Sequence, residues 1–229
     1  LIYADKKLKS LEIVVNTELS KIHNWLIANK LSLNINKSNY IIFHPYQKRP
    51  DYVVDLKIYD IHSKSYVSLE RKNHIKYLGI LIACNLSWKC HIGYIAFKVS
   101  RLIGIIAKLR SFVRVNTLIN IYKSLILPHL TYGIALWGQA AKCHIDKILN
   151  LQKRAIRLIY SAHYRSHANP FFQYASILPI NLLYIKSISI LMYDISKTNV
   201  PPNISAMFTS VEKIHEYNIR SNLAPRASV

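Results

Sequence analysis

Apolar positions along the chain fall into two regimes. From Lys9 to Asn29, Leu11, Val15, Leu19, Ile22 and Leu26 recur at steps of three and four. That spacing predicts one stripe of an amphipathic helix, with Glu12, Asn16 and Lys21 outside it. "LSLNI" (31–35) then alternates strictly, the period of a half-buried strand. "NKSN" reads as a turn and "YIIF" (40–43) as a second strand, so a hairpin is expected. After the linker "HPYQKRPD", short strands are expected around 53–60, 66–70 and 74–82, with "HSKS" as a tight turn.

Beyond Trp88 the period is helical. Ile92 to Leu109 carries Ile95, Val99, Leu102, Ile106 and Leu109 on one side. Asn116 is a suitable cap for a helix through Leu127, where Pro128 must kink or end it. His144 to Ile159 places Ile148, Leu151, Ala155, Ile156 and Ile159 on a stripe, with Lys147, Lys153, Arg154 and Arg157 displaced from it. "ANPFFQYASILP" reads as a loop with a short helical turn. Ile180 to Ser196 forms a last helix, stopped by "VPPN". The order is one helix, a small antiparallel sheet and an all-helical bundle: an α+β chain whose halves meet near residues 83–90.

Composition adds a partner class. The 229 residues include 31 Lys and Arg against 11 Asp and Glu, a formal net charge of +20, and 51% are hydrophobic. The chain can build a core, and an excess of cations that large points to a polyanion such as nucleic acid. An anionic membrane surface is a more distant reading. The apolar run Ser124 to Trp137 is broken by Pro128, His129 and Gly133 and is too short to span a bilayer. Cys84, Cys90 and Cys143 are an odd number without framework spacing, and the first residues are charged. A reducing intracellular setting, cytoplasm and nucleus rather than secretion, follows as the expectation. Cys90-His91 and Cys143-His144 lack the paired spacing of a zinc clamp, so packing thiols beside polar histidines is the preferred reading.

Four stretches, taken in order, resemble one family. "WLIANKLSLNINKSNYIIF" (25–43), "HIKYLGILIACNLSWKCHI" (74–92), "IYKSLILPHLTYGIALWG" (121–138) and "LQKRAIRLIY" (151–160) are similar to the later part of reverse transcriptases from non-LTR retrotransposons of the jockey-like group. The resemblance implies a C-terminal part of the palm with the primer-grip hairpin over 1–82. It implies a helical thumb and post-thumb region over 83–200 and a poorly ordered tail over 201–229. The fold would be a partial palm followed by a thumb-like bundle.

Tyr3-Ala4-Asp5 looks like a Tyr-Ala-Asp-Asp catalytic turn that lacks its last aspartate. Lys6, Lys7 and Lys9 follow, however, where the family runs a buried strand, and burying three unpartnered cations is costly. The preferred alignment makes Leu1-Ile2-Tyr3 the apolar strand and Asp5 the residue that caps the following helix, a lookalike and not a metal ligand. The metal-holding aspartates would then lie outside this chain, which alone would hold no cofactor, while the complete polymerase uses Mg2+.

By resemblance Lys37 matches the lysine of the fourth palm motif, a candidate cation on the pyrophosphate side; the alternative is a solvated turn lysine. Lys76, Tyr77 and Gly79 match the primer grip, with Leu78 as sheet packing. Lys98, Arg101 and Lys108 share a broad helical face, and Arg110 and Arg114 extend it. Lys153, Arg154 and Arg157 offer a second basic surface. Trp25 and Trp137 are expected in the core. The implied partners are an RNA–DNA or DNA primer–template duplex, the element's RNA and the remainder of the polymerase, with no membrane. The alternative is a stand-alone basic nucleic-acid-binding protein without polymerase activity.

Overall fold

Two hydrophobic groupings organise the chain into separate packing units, Leu1–His91 and Ile92–Val229. The computed structural model describes residues 2–5, 7–47, 51–60, 64–197, 199–209 and 226–227.

In the first unit, α1 (Leu8–Ala28) lays its stripe on a core of Leu19, Val54, Leu56 and Ile58, with Leu8, Val15, Tyr40 and Leu69 at its margin. Asn16, expected outside the stripe, faces inward. Its Nδ2 donates to the Asp55 carbonyl at 3.0 Å, and its Oδ1 accepts the Lys57 N–H at 2.9 Å. Backbone groups entering a strand need partners, and this side-chain amide supplies one of each kind. Glu12 also turns inward and takes a hydrogen bond from the Tyr52 hydroxyl, which raises the Tyr52 pKa. Trp25, expected in the core, lies on the far side of α1 and is 59% exposed.

The sheet is a set of two-stranded pieces. The expected 31–43 hairpin does not form: a 3-10 turn (Ile35–Lys37) leads into β1 (Asn39–Tyr40). β1 pairs in parallel with β4 (Glu70–Arg71), Asn39 opposite Glu70. The alternation in "LSLNI" was real but local, because the Asn34 side chain accepts the Lys37 N–H at 3.2 Å and closes a tight turn instead. β2 (Lys57–Asp60) and β3 (Ser65–Ser68) are antiparallel, Ile58 opposite Val67. The "HSKS" turn between them falls partly on 61–63, outside the described residues. β5 (His74–Tyr77) and β6 (Ile80–Ala83) form a two-residue hairpin, Tyr77 opposite Ile80. Its turn residues Leu78 and Gly79 have φ of 46° and 84°. Positive φ at both positions matches strand twist and suits Asn-Gly far better than Leu-Gly.

Residues 2–5 form no strand, although Leu1-Ile2-Tyr3 was expected to; Leu1 is outside the described residues. Asp5 does lie in the turn before α1. Its Oδ1 accepts the Lys7 N–H at 3.0 Å, while Lys7 is the residue at the cap position.

The long helix α2 spans Lys89–Leu109. Its first turn belongs to the sheet unit, because His91 is buried and its Nδ1 accepts the Leu81 N–H at 3.2 Å. Burial lowers the His91 pKa and keeps the ring neutral.

In the second unit, Ile92, Ile95, Val99, Ile103 and Ile106 form the buried side of α2. α3 (Val115–Ile121) starts one residue before Asn116, so Arg114 holds the cap position and Asn116 makes no cap. A π turn (Tyr122–Ile126) then joins α3 to α4 (Leu127–Thr131). It resolves the conflict posed by Pro128, which sits in the first turn of α4 where its missing N–H is not needed. α5 (Ile134–Trp137), α6 (Lys142–Ile159), α7 (Asn169–Tyr174) and α8 (Ile180–Ser196) complete the bundle. Trp137 is fully buried and donates its indole N–H to the Tyr132 carbonyl at 3.0 Å. Short elements follow: α9 (Pro202–Ser205), and β7 (Phe208–Thr209) paired with β8 (Arg226–Ala227). The rest of the expected disordered tail lies outside the described residues.

One polar residue stands inside this apolar bundle. Gln152 is fully buried on α6; its Nε2 donates to the Tyr122 hydroxyl at 2.9 Å and the Leu178 carbonyl at 3.3 Å. Its Oε1 accepts the Ile180 N–H at 2.7 Å. The π turn, α6 and the start of α8 therefore meet on one amide. Close packing continues at Gly138, where an added Cβ would strike the Tyr184 ring and lie 2.6 Å from the Ile134 carbonyl oxygen.

Gln152→Ala should cost about 2–4 kcal/mol in urea unfolding, more than Tyr122→Phe, because it removes the partner of the buried Tyr122 hydroxyl and Ile180 N–H and of the part-buried Leu178 carbonyl. Burial pushes the Tyr122 pKa from 10.0 to about 12. Its phenol stays protonated in the folded chain at pH values where the unfolded chain ionises. That contribution is complete below pH 10 and is lost as pH rises toward about 12, by up to roughly 1.4 kcal/mol per pH unit; a Tyr122→Phe chain should lack that share of the alkaline decline. Leu78→Asn should stabilise the β5–β6 hairpin by about 1 kcal/mol, seen as a raised melting temperature.

Candidate nucleic-acid interface

The basic residues singled out from the sequence occupy both units, and each unit presents its own set. In the first, Lys37 ends the 3-10 turn and is exposed. Lys76 and Tyr77 occupy the last two positions of β5, both exposed, with Tyr77 at 61%. Gly79 completes the turn beside them. Leu78 was expected to pack in the sheet, yet it stands at the hairpin tip, 72% exposed, because the two-residue turn places it there.

In the second unit, α2 buries one side and turns the opposite side outward. At 100° per residue, Tyr94, Phe97, Lys98, Arg101, Ile105 and Lys108 fall within one outward arc. The Lys98 ammonium sits 4.6 Å from the Tyr94 ring centre, and the Arg101 guanidinium 5.8 Å from that of Phe97. Phe97 is itself 63% exposed. Lys98 and Arg101 thus each lie near a ring one turn back along the helix, and among the described residues neither is paired with a carboxylate.

Arg110 and Arg114, both exposed, flank the turn between α2 and α3. Between them Phe112 is 83% exposed. Phe97 and Phe112 were missed when the sequence was read for charge alone. Their signal was present, since each is an aromatic residue within four positions of two cations and off the apolar stripe.

On α6, Lys147 and Arg154 are exposed, while Lys153 and Arg157 are half-buried. Arg157 has a structural duty as well: its Nε donates to the Ser166 carbonyl at 2.8 Å, holding the loop after α6. At the end of that helix Tyr160 stacks on Phe171, ring centres 5.3 Å apart, with Tyr174 edge-on at 6.5 Å. Basic side chains far outnumber acidic ones in this region. Between residues 92 and 209, Asp146 and Asp194 are the sole acidic side chains.

Two of the described carboxylates in the first unit have partners within the chain. Asp5 is engaged by the Lys7 N–H. The Asp55 pKa is lowered by a hydrogen bond from Ser68 and by Lys57, whose ammonium lies 3.1 Å away. Among the described residues, no three His, Cys, Asp or Glu side chains gather as metal ligands, the Cys90-His91 and Cys143-His144 pairs included. Among the same residues, no helix is long and apolar enough to cross a membrane.

No protein-family profile matches the chain, and no solved structure matches it. Three curated proteins do. The RNA-directed DNA polymerase from mobile element jockey of Drosophila melanogaster is 42% identical over 91 residues, 38% of this chain and 10% of that protein. The probable RNA-directed DNA polymerase from transposon X-element of the same species is 28% identical over 145 residues, 61% of this chain and 15% of its own length. The jockey polymerase of Drosophila funebris is 24% identical over 149 residues, 63% of this chain and 15% of that protein. The matched region thus spans only 10–15% of the length of these relatives. By these matches the chain is a homologue of the RNA-directed DNA polymerases of jockey-like non-LTR retrotransposons.

Proposed function

We propose that this chain is the part of a retrotransposon RNA-directed DNA polymerase that grips the primer–template, and that the metal-holding aspartates belong to a part of the polymerase this chain does not contain. The observation that carries the reading is the outward face of α2, where Lys98, Arg101 and Lys108 stand opposite the buried Ile95, Val99, Ile103 and Ile106. A helix built that way packs inward and follows a phosphate backbone outward. The polymerase relatives supply the class of nucleic acid: a duplex of primer and template, with the element's own RNA as template.

Within this reading the hairpin at 74–83 is the primer grip. Lys76 neutralises a primer phosphate, Tyr77 packs against a sugar, and Gly79 lets the turn come close to the strand. Lys37 supplies positive charge on the side where pyrophosphate departs. Lys153, Arg154 and Lys147 form a second phosphate-facing surface on α6. Alone, the chain binds and does not extend a primer: Asp5 accepts the Lys7 N–H, Asp55 is paired with Lys57 and Ser68, and among the described residues no three His, Cys, Asp or Glu side chains gather as metal ligands.

The binding is set by charge, so it is steep in salt and weak in sequence preference. Combined Lys98→Glu, Arg101→Glu and Lys108→Glu should weaken duplex binding about a hundredfold at low salt and flatten the log K against log salt slope by about three. Reversal at exposed Lys30, Lys64 and Lys186, which changes net charge equally, should cost far less. Fluorescence anisotropy over a salt series measures both. Unaltered affinity in the α2 triple variant, or equal losses in the two variants, sinks the assignment.

A further inference from the structure

The turn joining α2 to α3 carries "RSFVR" (110–114), and its central ring faces solvent. We propose that this turn is a stacking site for an unpaired nucleobase, with Phe112 as the platform and Arg110 and Arg114 as clamps on the phosphates either side. The inference rests on the nucleic-acid reading above and adds the form of nucleic acid that this turn recognises.

Three observations carry it. Phe112 is 83% exposed, the most exposed Phe among the described residues, although a hydrophobic ring in water is unfavourable by about 25 cal/mol per Å2 of apolar surface. The turn that presents it is fixed, not slack. Arg110 N–H bonds the Ile106 carbonyl at 3.0 Å, and the N–H groups of Phe112 and Val113 bond the Leu109 carbonyl at 2.9 and 3.1 Å. On the far side, the Arg114 carbonyl accepts the Leu118 N–H at 3.1 Å and opens α3. The ring therefore stands on a hydrogen-bonded pedestal between two helices, and displaying it costs little additional ordering on binding.

Charge complementarity selects the occupant. Exposed guanidinium side chains lie two residues to either side of the ring, in a region with almost no carboxylates. A planar apolar surface between two cations matches a nucleotide, whose base is flat and whose flanking phosphates are negative. Paired bases inside a duplex already stack on their neighbours and gain little from such a ring. An unpaired base has a free face, so the turn suits the single strand that leaves a duplex end, in RNA or DNA alike.

The test uses the whole chain and two probes, a blunt duplex and the same duplex with a single-stranded overhang carrying 2-aminopurine at its first unpaired position. The wild type should bind the overhang probe more tightly and quench the 2-aminopurine. Phe112→Ala should lower overhang affinity about tenfold or more while leaving blunt-duplex affinity within about twofold. Phe112→Trp should retain the overhang advantage, and Arg110→Gln with Arg114→Gln should reduce the salt slope by about two.

The proposal is overturned if the overhang brings no advantage, if Phe112→Ala affects both probes equally or neither, or if it abolishes only binding to phosphatidylserine vesicles. The last outcome would mark a membrane wedge. Loss of blunt-duplex binding by the wild type would bring down the nucleic-acid reading and this inference together. A Phe112-insensitive chain that still holds blunt duplex brings down this inference alone.

Discussion

A single side-chain amide holds the helical unit in register. Gln152 donates to the Tyr122 hydroxyl and the Leu178 carbonyl and accepts from Ile180 N–H, all from a fully buried position. A buried amide with one of these partners missing would cost more than the bond it keeps, so the three segments are obliged to arrive together. The π turn at 122–126 begins at the buried Tyr122 and ends just before Pro128 in the first turn of α4. Apolar packing around Trp137, Ile148 and Ile156 gives the bundle its stability; the amide gives it one arrangement.

The sheet unit solves a similar problem with Asn16. Small two-stranded pieces leave backbone groups exposed, and a helix can cover them only with a side chain that both donates and accepts. Each unit thus places one amide where an apolar stripe alone would leave peptide groups unsatisfied. With shape fixed by such contacts, the excess of cations is left on outward surfaces, where water screens their self-repulsion.

Much of this was legible from the periodicity. The stripes of α1, α2 and α6 lie where the three- and four-residue spacing puts them, and α8 runs from Ile180 to Ser196 as its pattern predicts. The pattern over 74–82 reads as one strand, whereas the chain turns at Leu78-Gly79 into the β5–β6 hairpin that only the resemblance to a primer grip implied. Four readings failed for a shared reason. Trp25 was placed in the core by its size, Asn16 on the surface by its polarity, Leu78 in the sheet by its hydrophobicity, and Asn116 at a cap by its side chain. In each case a backbone requirement nearby outweighed the preference of the residue itself: helical phase for Trp25, strand partners for Asn16, a positive-φ turn for Leu78, and an earlier helix start for Asn116.

By itself, then, the sequence determined the class of fold, the apolar faces, the cationic character and the kinship to jockey-like polymerases, because these depend on composition and on spacing within one segment. Only the tertiary structure decided that β1 pairs in parallel with β4, that Gln152 is the buried node and that Phe112 stands out between two arginines. Those outcomes depend on which distant backbone groups need partners and which surface is already covered. Local periodicity carries no record of either, since both are settled by groups far away in the chain.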